Sequence, residues 1–169
     1  MILDRKRFDE VYSIMEKSFP PDEIRPYDEQ KALLSNDFHR VYTLIDGDRI
    51  CSVAATWQFS EVLFIEHLAT DSDLRGRGMG VQILDFLTEN EKRTVCLEVE
   101  PPENELARRR IAFYERQGFN LNEYPYIQPA ISYGRSPIPL MIMTHSRKID
   151  KCEFEGIKRL LYKEVYKVI

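Results

Sequence analysis

The sequence is poor in cysteine, and the few it has are badly placed to act together. Cys51, Cys96 and Cys152 are odd in number, far apart and free of any Cys-x-x-Cys or His-rich spacing. That excludes a disulfide framework and a zinc site, and is expected of buried thiols in a reducing compartment. Long apolar runs are missing too. No stretch approaches the roughly 18 residues of a membrane-spanning helix, and no apolar core of a secretory signal follows the charged start MILDRKRFDE. Nor is there an excess of basic charge: 24 Lys and Arg stand against 28 Asp and Glu, a formal net charge of −4. A general nucleic-acid binder needs a basic surface to neutralise phosphates, so that class is excluded along with membrane spanners. Without internal repeats or low-complexity segments, the 169 residues are expected to form one cytoplasmic domain with a sizeable core.

Glycine is scarce as well, yet three of the seven fall within Arg75-Gly76-Arg77-Gly78-Met79-Gly80. The stretch follows an apolar run, Val62 to Thr70, and precedes a helical pattern, Val81 to Leu87. Glycines let the backbone turn sharply and approach a ligand, and a helix start leaves N–H groups without partners. With two arginines beside them, a phosphate or pyrophosphate is the natural guest. The competing reading is a glycine-rich turn carrying solvated arginines.

Apolar spacing predicts a helix over Arg7 to Lys17, stopped by Phe19-Pro20-Pro21, and a second around Asp28 to Leu34. Val41 to Ile45 and Ile50 to Trp57 flank Asp46-Gly47-Asp48-Arg49, a hairpin signal; Met1 to Leu3 is a candidate edge strand. Leu63 to Thr70 is apolar on both parities, as a central strand covered on both faces would be. The helix after the glycines is expected to end near Glu91 or Lys92. The strand Thr94 to Glu100 must then run parallel to its predecessor, because a helix separates them. A further helix, Glu105 to Gln117, stops at Gly118. Asn120 to Tyr124 is a candidate strand, a Pro-punctuated aromatic loop follows, and Leu140 to Thr144 reads as the last strand. Phe154, Ile157, Leu161, Val165 and Val168 form an apolar stripe at helical spacing. That stripe needs a surface to cover, either its own sheet or a second subunit.

The order of elements and two motifs together resemble the GNAT superfamily of acetyl-CoA-dependent N-acyltransferases. Phe64 to Asp71 followed by Leu74 to Gly80 is similar to the family's motif A, whose signature is Q/R-x-x-G-x-G/A; Ile111 to Phe119 is similar to motif B, a Tyr on a helix ending in Gly-Phe. The resemblance covers roughly Val41 to Thr144. It implies an α/β (α+β) fold: a mixed, mostly antiparallel sheet with a central parallel strand pair splayed at the cofactor site and helices on both faces. The GNAT domain is then residues 1–146, with 147–169 a C-terminal helical extension packed on the same domain or on a partner subunit. One departure stands out. Many relatives carry an Asn seven residues before the motif B Tyr, where this chain has Ala107, and Asn104 one turn earlier is the candidate substitute.

The resemblance further implies acetyl-CoA as cosubstrate, its pyrophosphate on the amides of Arg75, Gly76, Arg77, Gly78, Met79 and Gly80. Its pantetheine arm would run along the backbone of Leu68, Ala69 and Thr70. Tyr114, matching the motif B Tyr, would be the general acid for the departing thiolate. The acceptor is expected to be a primary amine, on a small molecule or a peptide, and a protonated amine needs a base. Glu66, a charged residue in an apolar strand, is the candidate base or holder of a relay water, since burial would raise its pKa; the competing reading is a salt bridge to a helix residue, and Glu98 and Glu100 on the neighbouring strand are alternatives. His67, of opposite parity, reads as a core histidine. Of Arg108-Arg109-Arg110, one could meet a CoA phosphate, against a solvated helix face. Tyr124, Tyr126, Tyr133 and the loop Pro125 to Pro139 could wall the acceptor pocket. Direct transfer without metal is expected; the alternative of another class is a non-catalytic acyl-CoA sensor with the same fold.

Overall fold

His39–Asp46 (β1) and Arg49–Gln58 (β2) close into the expected hairpin, with Gly47 at φ +58° in its turn. Around them the computed structural model, which describes residues 2–169, builds one six-stranded sheet with Val62–Thr70 (β3), Thr94–Val99 (β4), Phe119–Gln128 (β5) and Ile138–His145 (β6). The order is β1-β2-β3-β4-β6-β5, and β3 with β4 is its parallel pair. The connection between those two is the helix Met79–Thr88 (α3), as a parallel crossover requires. Of the candidate edge strand over residues 1–3, Met1 lies outside the described residues. Ile2 makes an isolated bridge to Tyr42, and the Leu3 N–H donates to the Val41 carbonyl at 2.9 Å.

Both faces of the sheet are covered. On one, α3 and Glu105–Arg116 (α4) press Ile83, Leu84, Leu87 and Ile111 onto Leu63, Ile65, Val95 and Leu97. On the other, Phe8–Ser18 (α1) packs Val11 and Met15 against Val53, Ala55 and Ala69. A short helix, Tyr27–Ala32 (α2), follows the irregular stretch after α1. Beside them, Lys151–Leu160 (α5) and a π-helical turn, Leu161–Val165, bury Phe154, Ile157, Leu161 and Val165 against Phe64, Cys96 and Ile142. Four of the five residues of the C-terminal apolar stripe therefore cover the chain's own sheet, while Val168, past the turn, is exposed.

Two boundaries differ from expectation. α3 stops at Thr88, before Glu91, because Glu89 leaves helical geometry and Asn90 has φ +59°. β5 runs on to Gln128 through Pro125; its register with β6 slips between Asn122 and Tyr126. Pro125 has no N–H to give a ladder, and an irregularity on an edge strand is where a sheet tolerates that.

Candidate active site

β3 and β4 pair only over Val62–Ile65 and Thr94–Leu97. Beyond that they part. β3 stays with β2 through Ala54↔Leu68, Val53↔Ala69 and Ser52↔Thr70, while β4 stays with β6 through Glu98↔Ile142 and Val99↔Met141. The facing edges carry backbone donors and acceptors that no strand covers, and such groups seek a partner. A cleft of about 440 Å³ opens at this fork, lined among others by Glu66, Leu68, Thr70, Glu98 and Tyr114.

The glycine turn stands at its mouth. Gly76 and Gly78 adopt φ +76° and +77°, a region that L side chains enter only at a cost. Gly78 caps α3 without any side-chain hydrogen bond, so the first amides of that helix are uncommitted. Arg75 lines the cleft and Arg77 is exposed beside it, and among the described residues neither has a hydrogen-bond or ion-pair partner. A Cβ on Gly80 would sit 3.4 Å from Thr70 Oγ1 and 3.8 Å from Phe113 Cζ, so any larger side chain there would narrow the passage between turn and strand. Uncapped amides, unpaired guanidinium groups and an uncovered strand edge fit a ligand with an anionic end and an amide-bearing arm.

From the other side of the cleft comes Tyr114 on α4, its ring against Phe113 and Phe119. Burial pushes its pKa up to about 12, with Arg110 pulling slightly the other way. At neutral pH it is a protonated donor, and among the described residues its hydroxyl has no hydrogen-bond partner. Its neighbour Phe113 also lines the cleft.

Residues 37–121, just over half of the chain, match the acetyltransferase (GNAT) domain family. The chain belongs to the GNAT acetyltransferase family. A structure from Bacteroides thetaiotaomicron, itself assigned to the GNAT family as an acetyltransferase, superposes with a TM-score of 0.91 at 32% identity, covering 100% of this chain and 98% of that one. YjbC of Bacillus subtilis (strain 168), also assigned as an acetyltransferase, is 27% identical over 110 residues, 64% of this chain and 55% of YjbC. The chain thus spans about half the length of this curated relative. An aminoglycoside 6'-N-acetyltransferase complexed with coenzyme A shares the fold at a TM-score of 0.61 and 16% identity, covering 89% of this chain and 98% of that one.

The carboxylates of the GNAT cleft are not arranged as strand parity suggests. Ala55 faces His67 and Thr56 faces Ile65, so Glu66 is the extra residue of a β-bulge. The bulge undoes the alternation and brings Glu66 and His67 to the same face, with Glu66 Oε2 and His67 Nδ1 3.6 Å apart. Nor does burial raise Glu66. Burial opposes its charge, but Arg25 Nη1 lies 2.7 Å from Oε1, and that guanidinium holds the carboxyl well below the usual range. Its side chain is 2% exposed, and Oε2, like His67 Nδ1, is buried without a hydrogen-bond partner. The His67 Nε2 nitrogen lies 2.8 Å from the Glu23 carbonyl oxygen; burial lowers the His67 pKa, as befits a core histidine.

Glu98, across the fork in the GNAT cleft, has the opposite character. Burial pushes its carboxyl up to about 7; hydrogen bonds from Tyr126 and Tyr166 pull it down, and the charges of Glu66 and Glu23 push it up. Tyr126 donates to Oε1 and Tyr166 donates to Oε2 at 2.6 Å. Glu23 also lines the cleft and is raised by burial and by Glu100, with Arg110 opposing. Glu100 lies 3.4 Å from Arg110, the one member of the arginine triplet that borders the cleft; Arg108 donates to the Pro102 carbonyl and Arg109 pairs with Glu105.

Other expectations resolve differently. Asn104 does not line the cleft: it caps α4, its Oδ1 accepting from the Ala107 N–H at 2.9 Å. Of the loop tyrosines, Tyr126 is buried on Glu98, Tyr124 is half-buried with its ring tilted against Phe154, and Tyr133 is fully exposed. Cys51 and Cys96 are buried, but Cys152 is exposed on the first turn of α5, where the core needs nothing from it. Arg25 and Glu23 escaped the sequence reading because they sit in the irregular Pro20–Pro26 stretch, where no periodicity singles out a side chain. Tyr166 escaped because helical spacing from Val165 turns it off the buried stripe. Among the described residues no helix is long and apolar enough to cross a membrane, and no group of His, Cys, Asp and Glu could hold a metal ion.

Proposed function

We propose that this protein is an N-acetyltransferase that moves an acetyl group from acetyl-CoA directly to a cationic primary amine. The observation that carries the reading is the fork between β3 and β4, with Glu98 and the unpartnered Tyr114 hydroxyl both lining it. Coenzyme A in the aminoglycoside acetyltransferase of the same fold supports the choice of cosubstrate. When bound, acetyl-CoA supplies the thioester acyl group. The amides of Arg75, Gly76, Arg77, Gly78, Met79 and Gly80 and the two guanidinium groups hold the anionic end, and the edge of Leu68, Ala69 and Thr70 holds the arm as a neighbouring strand would. We assign no cofactor contact to Asn104.

The amine arrives protonated and must lose a proton before it attacks. Glu98 takes that proton: a carboxyl titrating near 7 is matched to the task, whereas Glu66, pinned by Arg25, is a weak base. With the charge of Glu66 neutralised by Arg25, Glu23 and Glu98 are the carboxylates of the cleft that draw a cation in. As the nitrogen–carbon bond forms and the carbon–sulfur bond breaks, Tyr114 gives its hydroxyl proton to the sulfur; the second proton shed by the acylated nitrogen restores Tyr114, and Glu98 returns its own proton to solvent. The test is to incubate the protein with acetyl-CoA and panels of small amines and peptides, following free thiol. Release with cationic primary amines is expected; no release with any amine, together with no CoA binding, overturns the reading.

A further inference from the structure

The matched family region ends at residue 121, yet two groups from the far end of the chain reach the fork. Tyr166 donates to Glu98 Oε2 at 2.6 Å, and the Val165 carbonyl accepts from Arg25 Nη2 at 3.3 Å while Nη1 of the same guanidinium holds Glu66. Each carboxylate is thus touched, directly or through one side chain, by consecutive residues of the C-terminal segment.

The backbone explains how two neighbours do this. In an uninterrupted α-helix successive residues lie about 100° apart, so with Phe154, Ile157, Leu161 and Val165 on the buried face, Tyr166 would swing to the flank. Instead α5 widens into the π-helical turn Leu161–Val165, closed by the Tyr166 N–H donating to the Leu161 carbonyl at 3.0 Å. Both Val165 and Tyr166 are then buried, at 5% and 7% exposure. π-helical turns are rare and occur frequently at functional sites. The Tyr166 ring joins the same core as Phe154, Leu161 and Val165, but packing gives no role to its hydroxyl, which lies on Glu98.

We propose that the C-terminal segment completes the catalytic site: its π-helical turn delivers the Tyr166 hydroxyl to Glu98 as a positioning donor that keeps the carboxylate at the fork and ready to take the amine's proton. The inference rests on the reading of Glu98 as base. Tyr166 is then part of the enzyme's working machinery, and the rest of residues 147–169 position it and cover the sheet. The groups around Glu98 are Tyr126 from β5, Glu66 from β3 with its partner Arg25, Glu23 from the turn after α1, Cys96 on its own strand, and Tyr162 and Tyr166 from the C-terminal turn. Among these, Tyr126 and Tyr166 are the direct hydrogen-bond donors to the carboxylate. A neutral donor stabilises the charged form of a carboxyl, so removing one raises the pH at which it titrates.

The experiment compares wild type, Tyr166→Phe and Tyr162→Phe, the last removing a hydroxyl of the same segment that donates to the Ile127 carbonyl instead. The Glu98 carboxyl is titrated by carbon-13 NMR, its signal assigned through Glu98→Gln, and kcat/KM is measured against pH. In Tyr166→Phe the midpoint and the acid limb should both rise by about one pH unit, with a five- to ten-fold loss at pH 7 that closes by pH 9. CoA affinity should be unchanged, and Tyr162→Phe should leave the limb in place. A difluorotyrosine at position 166, a stronger donor of nearly the same shape, should move the midpoint down, which keeps the test valid if the phenylalanine variant folds poorly. A midpoint that ignores both changes at 166, or a pH profile lowered uniformly, overturns the inference. If Glu98→Gln keeps full activity the base assignment falls and this inference with it; if wild type releases no thiol from acetyl-CoA, the transferase reading itself fails.

Discussion

Arg25 Nη1 and Glu66 Oε1 meet at 2.7 Å with 7% and 2% of their side chains exposed, tying the stretch after α1 to the bulge of β3 at the mouth of the fork. A pair so enclosed is a poor source of net stability, but each half depends on the other: an unpaired buried charge is the expensive state. Arg25→Met should destabilise by about 3–5 kcal/mol in urea titrations at pH 7. The double variant Arg25→Met, Glu66→Gln should recover much of that loss. Loss of the same size in the double variant would mean that Arg25 matters for its contact over the Trp57 ring, 5.9 Å away, and not for its charge.

Glu98 should show its proton in the stability of the fold. Its pKa is raised in the folded state from an ordinary 4.5 to about 7, so it burdens the fold only once ionised. Its contribution is therefore intact below about pH 4.5 and is lost as pH rises through 7, a penalty of about 3 kcal/mol when complete. Glu98→Gln removes the titration. At pH 9 it should be more stable than wild type by up to about 3 kcal/mol, and at pH 4 no more stable, while acetyl transfer is lost. A constant difference across pH would show that Glu98 titrates normally.

The sheet, the crossover helix and the glycine turn were legible in the sequence because each rests on local chemistry: alternation, helical period, a run of glycines before a helix. Tyr114 was legible because its motif fixes it on the helix after the splayed strand. The carboxylates were not. Strand parity assigns faces only while the ladder is regular, and the bulge at Glu66 breaks it by one residue. What decides between Glu66 and Glu98 is which gets the cation, and that cation, Arg25, comes from 41 residues away in a stretch without period. Tyr166 needed a π-turn to reach the site, which no apolar spacing encodes.

Arg75 and Arg77 hold nothing within the described protein, so replacing either should leave stability within about 0.5 kcal/mol of wild type. If the turn holds the anionic end of CoA, Arg75→Ala should weaken CoA binding about ten-fold by calorimetry, as expected for loss of one charge-assisted contact at a partly exposed site. The effect should shrink at high salt. Equal binding by wild type and the double alanine variant would return the turn to a solvated loop.

Tyr114 offers the sharpest separation of chemistry from binding, because its hydroxyl has no partner to lose among the described residues. Tyr114→Phe therefore should leave stability within about 0.5 kcal/mol of wild type. CoA affinity should stay as it is. The transfer rate should fall by about 10²-fold or more, the usual contribution of a positioned general acid. The pH profile adds a sign: with a pKa pushed up to about 12, the tyrosine stays protonated throughout the accessible range, so wild type should show no alkaline limb from it below pH 10. Single-turnover measurements with a donor whose thiol is more acidic supply the decisive comparison. A sulfur that leaves readily needs the proton less, so Tyr114→Phe should lose less rate with that donor than with acetyl-CoA. An equal loss with both would place Tyr114 in holding the substrate, and the proton for sulfur would have to come from water in the cleft.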